Sequence, residues 1–208
     1  MSYNLNSHIF DLVARVRQAA VDRSGNLSPA TLDPAPGSAT RRRMLLGLGA
    51  ASVLGLPRPA PASPLAGLAR WGSGDLRRFG FLVFTATLWA ADDPLQPPLA
   101  LRLDYQRSIA GAVIARASVL EMRRFSDDRQ RLAAWEAQMS QIFPDVQPGD
   151  HLVGVYRPEG AYFYQDEHLL GAITSPGFAA AFFAIWLDRR TSAPELRAAL
   201  LTRPTSRS

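Results

Sequence analysis

The sequence predicts an α+β fold, an antiparallel β-sheet with a layer of helices on one face. Three observations carry that prediction. Residues 162–201 run from a β-hairpin straight into two capped helices. Residues 99–107 alternate so that only one face of a strand is apolar, and residues 109–143 hold two amphipathic helices able to cover that face.

In chain order, residues 1–39 contain one short amphipathic stretch, from Ile9 to Val21, and then a Ser-, Pro- and Gly-rich run expected to be disordered. Residues 40–62 read as a cleavable export signal. A basic cluster is followed by thirteen apolar residues from Met44 to Leu56, a proline break and the small-x-small tripeptide Ala60-Pro61-Ala62. Thirteen helical residues rise about 20 Å, short of a ~30 Å hydrocarbon core, so no permanent span is expected. Arg41 and Arg42 ahead of Met44-Leu45 resemble the twin-arginine pattern, and an ordinary secretory n-region is the alternative. The expected location is the periplasm, after cleavage near Ala62; anchoring by an uncleaved signal is the alternative. Export machinery is the implied partner of this segment.

Residues 63–203 are expected to form one folded domain, and 204–208 a disordered tail. Leu65 to Arg70 reads as an apolar lead-in and Gly72-Ser73-Gly74 as a hinge. Residues 79–89 are apolar on both alternating faces, which predicts a strand covered on both sides. After a Pro-rich loop, Leu99, Leu101, Leu103, Tyr105 and Arg107 share the inward face of the next strand. Val113, Ala117 and Leu120 line one face of a first helix; Leu132, Trp135, Met139, Ile142 and Phe143 line one face of a second. Residues 151–157 form a strand. Tyr162 to Tyr164 and His168 to Ile173 pair around a polar turn. Thr174 or Ser175 with Pro176 starts the next helix, and Thr191-Ser192 with Pro194 starts the last. The predicted order is β-β-α-α-β-β-β-α-α.

Composition excludes several functions. The chain has 23 Lys+Arg against 18 Asp+Glu, and every basic residue is arginine. Seven arginines and three aspartates fall in residues 1–62, so the folded part is nearly neutral, and no Arg-rich face interleaved with stacking aromatics suggests nucleic acid. Zero cysteines exclude disulfides, thiolate metal sites and a cysteine nucleophile. His8, His151 and His168 have no second ligand at i+3 or i+4, so no metal is expected. No phosphate loop, nucleophile elbow or carboxylate pair is present, and no cofactor is implied.

Two arginines remain. Arg107 continues an apolar stripe that ends at Tyr105, so it either snorkels at the strand end or pairs with an anion inside a cavity. Arg77, in the pleat of Phe79 and Phe81, is either a surface charge before the strand or a second cation for the same anion.

The stretch LGAITSPGFAAAFFAIWLDRRTSAPELRAALL, preceded by FPDVQPGDHLVGVYRPEGAYFYQDEHL, resembles the C-terminal half of chalcone-isomerase-like proteins, in particular their bacterial branch. The resemblance spans residues 68–201. It implies the family's open-faced sandwich, with a ligand cleft between sheet and helices. The family's plant enzymes cyclise chalcones to flavanones without a cofactor, using an arginine and hydroxyl groups to hold the substrate's oxygens. Its non-catalytic members bind fatty acids, with an arginine and a tyrosine on the carboxylate.

The enzymes carry a threonine ahead of a Gly-x-aromatic strand ending. Aligning that ending with Thr87-Leu88-Trp89 puts Phe84 on the threonine's position, and a one-residue shift restores Thr85 but reverses the face. Their arginine falls on Gly74, with Arg77 and Arg78 nearby. No catalytic residue carries over. The expectation is an exported, non-catalytic binder of a small amphipathic or aromatic acid such as a fatty acid, held by Arg107, Tyr105 and Arg77. A cofactor-free intramolecular isomerase or lyase and an envelope protein-interaction domain are the alternatives.

Overall fold

Six strands run in sequence order across one antiparallel sheet, each paired with its neighbour in the chain. The computed structural model describes residues 63–203. The segments expected to be a leader, an export signal and a tail, residues 1–62 and 204–208, lie outside the described residues. The strands are β1 (Ala69–Arg78), β2 (Phe81–Ala90), β3 (Leu99–Tyr105), β4 (His151–Arg157), β5 (Gly160–Gln165) and β6 (His168–Ile173). Helices α1 (Gly111–Met122) and α2 (Arg129–Ile142) lie between β3 and β4, and α3 (Phe178–Leu187) and α4 (Pro194–Leu200) follow β6. The α+β architecture with helices on one face is therefore present.

The main departure is β1. Gly72-Ser73-Gly74 is not a hinge but the middle of an edge strand, in register with Leu88, Thr87 and Ala86. The glycines are there because α4 lies directly on them. A Cβ on Gly72 would sit 2.3 Å from the Leu200 carbonyl oxygen, and one on Gly74 would sit 2.7 Å from the Ala199 Cβ. Close backbone approach, rather than flexibility, is what these positions need. Two further contacts tie the same elements: the Trp71 indole donates to the Leu201 carbonyl at 3.3 Å, and the Arg203 guanidinium stacks 4.0 Å above the Trp71 ring.

The expected strand 79–89 also changes. Phe79 and Gly80, at φ 50° and 80°, form the two-residue turn between Arg78 and Phe81. Left-handed φ at both positions matches the hairpin twist, and a phenylalanine there is not a turn signal that can be read in advance. β2 starts after the turn. Phe84, Ala86, Leu88 and Ala90 face the helices and are buried. The other face is only partly covered: Leu65 and Leu68 pack with Trp89, Tyr162 and Tyr164 around Ala100, Val153 and Val155.

The helical layer buries its apolar stripe on the inner face. Asp128 caps α2, its carboxylate accepting from the Arg131 amide at 2.9 Å. Leu132, Trp135, Met139 and Phe143 from this segment are buried, and Ile142 lies over Gly171 of β6. α3 begins later than expected, because Gly177 in the left-handed conformation is its N-cap. The Ser175 hydroxyl instead reaches Gln138. Before α4, buried Thr191 donates to the Ile185 carbonyl at 2.6 Å and accepts from the Ala193 amide at 3.2 Å. An edge-to-face cluster of Phe143, Phe163, Phe178 and Phe182 joins α2 and α3 to β5. Such rings add about 0.5–1.5 kcal/mol per pair beyond their buried area.

Candidate functional site

Between the inner face of the sheet and helices α1 and α3 lies a cavity of about 1110 Å³, at the upper end of small-molecule sites. Its walls are apolar. Leu101, Leu103 and Leu152 line it from the sheet, Val113 and Ile114 from α1, and Phe182 from α3. The β4 contribution includes Gly154, where a side chain would press on Phe183, Phe163 and Phe182. The exposed lining residues Phe81, Gln106, Arg107, Ser108 and Pro148 mark the mouth. It opens where the β1–β2 turn meets the end of β3.

Tyr105 is the last residue of β3 and lines the cavity. Its ring is buried edge-on against Phe84, with centroids 5.8 Å apart. Burial pushes its phenol far above the usual range, because the phenolate would lose its solvation. The group is therefore a neutral hydroxyl at any physiological pH. That hydroxyl has no hydrogen-bond partner among the described residues, although none of their buried polar side-chain atoms is sealed from water and unpaired. A phenol that is neither bonded nor sealed remains open to the cavity.

Arg107 also lines the cavity, but it is exposed rather than buried. β3 stops at Tyr105 and the chain bends through Gln106 and Arg107, so the inward stripe does not continue. The Arg107 guanidinium lies 4.9 Å from the centroid of the Phe81 ring. No Asp or Glu among the described residues reaches it within ion-pair distance. An internal carboxylate partner is thereby excluded within the described chain.

Arg77 is not among the lining residues. It pairs with Asp75 at 3.1 Å on the opposite side of β1, where Asp75 also accepts from the Thr85 hydroxyl at 2.8 Å. Parity explains the correction. The turn at Phe79-Gly80 interrupts the pleat, so Arg77 does not share a face with Phe81; Leu76 and Arg78 do reach the cavity. Arg78, which sequence reading noted but did not select, is half-buried at the mouth and donates to the Arg77 carbonyl at 3.2 Å.

The two positions considered for the family's threonine lie on opposite faces of β2. Phe84 faces the cavity, and Thr85 faces Asp75 on the other side of the sheet. Gly74 is packed beneath α4. Two other polar groups of the lining are engaged: the Ser118 hydroxyl donates to the Ile114 carbonyl at 2.9 Å, and Glu121 pairs with Arg124 at 3.1 Å. His151 lies 3.2 Å from Asp166. Among the described residues no cluster of His, Asp or Glu has metal-binding proximity, and no helix is long and apolar enough to cross a membrane.

A sheet roofed by helices over an apolar chamber with an arginine rim defines a class of small α+β proteins built around an internal cavity. The family model described as chalcone isomerase-like matches residues 85–202, more than half of the sequence, and the chain belongs to that family. It is 26% identical over 148 residues to an uncharacterised protein of Haemophilus influenzae, covering 70% of this chain and 73% of that one. Its fold is similar to the crystal structure of an Arabidopsis thaliana fatty-acid binding protein, AtFAP1, with a TM-score of 0.52 and 11% identity over 68% of this chain and 90% of the other.

Proposed function

We propose that this protein is a non-catalytic binder of a small amphipathic or aromatic acid, with a fatty acid as the leading candidate. The apolar part of the ligand fills the cavity and the carboxylate sits at the mouth. One observation carries the reading: a large apolar cavity holds, at one end, a guanidinium without a carboxylate partner and a phenol without a protein partner. Arg107 supplies charge and a fork of donors, Tyr105 a neutral hydroxyl donor, and Arg78 a second positive charge at the rim. The fatty-acid binding neighbour in fold supports the ligand class. Export to the periplasm through the segment 40–62 is part of the same proposal, and it rests on the sequence pattern.

Titration with a series of fatty and aromatic acids tests the proposal, with tight binding of at least one acid expected. Failure of the protein to bind any of them overturns it. Against the cyclase alternative stands the alignment that puts Phe84, a cavity-facing phenyl ring, on the position of the enzymes' threonine. Addition of protein to a chalcone should leave the spontaneous loss of chalcone absorbance unchanged. A rate well above background that Arg107→Gln abolishes would establish the enzyme instead.

A further inference from the structure

The β1–β2 turn presents two aromatic rings beside the cavity mouth. Phe79 is 67% exposed and Phe81 is 58% exposed, next to half-buried Arg78 and exposed Arg107. The tip bearing Phe79 is a two-residue turn, so its ring stands at the extreme end of the sheet. We infer that this tip is a membrane-docking element, in which Phe79 and Phe81 enter the interface of a bilayer bearing anionic headgroups while Arg78 and Arg107 pair with those headgroups.

Charge complementarity selects this occupant. Neither Arg78 nor Arg107 has an acidic partner among the described residues, whereas Asp75 is paired with Arg77 and Asp104 with Arg102; Asp150 accepts only from the Gln147 amide and keeps its charge. With two unpaired arginines against Asp150, the end of the molecule at this tip keeps a net positive charge around exposed rings. Aromatic side chains favour the headgroup level of a bilayer, and arginines beside them are drawn to anionic lipid. The placement also fits the cavity. A tip seated on the bilayer sets the mouth against the lipid surface, so an amphipathic ligand passes between bilayer and cavity without crossing bulk water.

The inference goes beyond ligand binding and can fail independently of it. The chain has no cysteine, so Phe79→Cys in the full chain takes one environment-sensitive fluorophore at the tip. Leu95→Cys is the control, because Leu95 is 46% exposed beyond the other end of β2, about 30 Å away along a ten-residue strand. Vesicles of phosphatidylglycerol and phosphatidylcholine should shift the emission of the label at 79 to the blue and raise its intensity, with no change at 95. Raising the salt concentration, or using phosphatidylcholine alone, should remove most of the shift. No shift at 79, an equal shift at 95, or an equal response to phosphatidylcholine alone would each overturn the inference. Adsorption through the apolar segment 44–56 would give the first or second of these results. Acid titration of the same labelled protein tests the cavity separately.

Discussion

Arg107 sits where the stripe of β3 gives way to solvent, and its exposure sets the outcome of removing it. Because no carboxylate depends on it, Arg107→Gln should leave the ligand-free melting temperature within a degree or so of wild type. The same change should weaken acid binding by about 1.5–3 kcal/mol, roughly tenfold to a hundredfold, the worth of a charged hydrogen bond. Calorimetric titration of wild type and variant, alongside melts of both, reads the two numbers together. Tyr105 makes a different prediction. Its phenol titrates near pH 10 in the unfolded chain and higher in the fold, so the unfolded state loses the proton first. The stability this group contributes is complete below about pH 10 and is lost as pH rises through the folded value. Denaturant unfolding measured across that alkaline range should fall more steeply for wild type than for Tyr105→Phe. Tyr105 was legible in the sequence because an inward stripe of leucines leads to it. The exposure of Arg107 was not, since period-two alternation carries no signal for the residue at which a strand bends away.

At the scale of elements, β1 and α4 meet in a close backbone approach. Gly72→Ala would place a methyl group into the Leu200 carbonyl, which neither backbone can avoid without shifting. A loss of about 1–3 kcal/mol is expected, typical of overpacking, and denaturant titration of the variant measures it. Stability equal to wild type would mean that α4 is not seated on β1. This strand was the element that sequence reading missed. Gly, Ser and Gly in succession signal flexibility when read locally, and only the helix 120 or more residues further along reveals that they make room. The hairpin of β5 and β6 and the stripe of α2 were legible because aromatic content, turn residues and helical spacing are local. Their burial reinforced rather than overrode local preference. The N-cap of α3 was misplaced for a similar reason, as the left-handed Gly177 outcompetes the hydroxyl residues before it.

For the whole molecule, the export proposal predicts a shortened protein. Intact mass of the protein from a periplasmic fraction should correspond to cleavage near Ala62, and a full-length species confined to the cytosol would refute export. The cavity as a whole was not legible, because its walls come from residues that any core would contain. A cavity differs from a core in how far the helices stand from the sheet, which depends on all the packed side chains at once. Trp71 and Arg203 stack, and the Trp71 indole holds the Leu201 carbonyl, so the two ends of the fold are neighbours on one edge. A short linker between them would close the domain into a ring, which could be reopened at the Pro-rich loop between β2 and β3 without disturbing a strand pairing. The new termini of such a permutant would lie at the same end of the sheet as the joined ones, opposite the cavity mouth, because Ala69 at the start of β1 pairs with Ala90 at the end of β2.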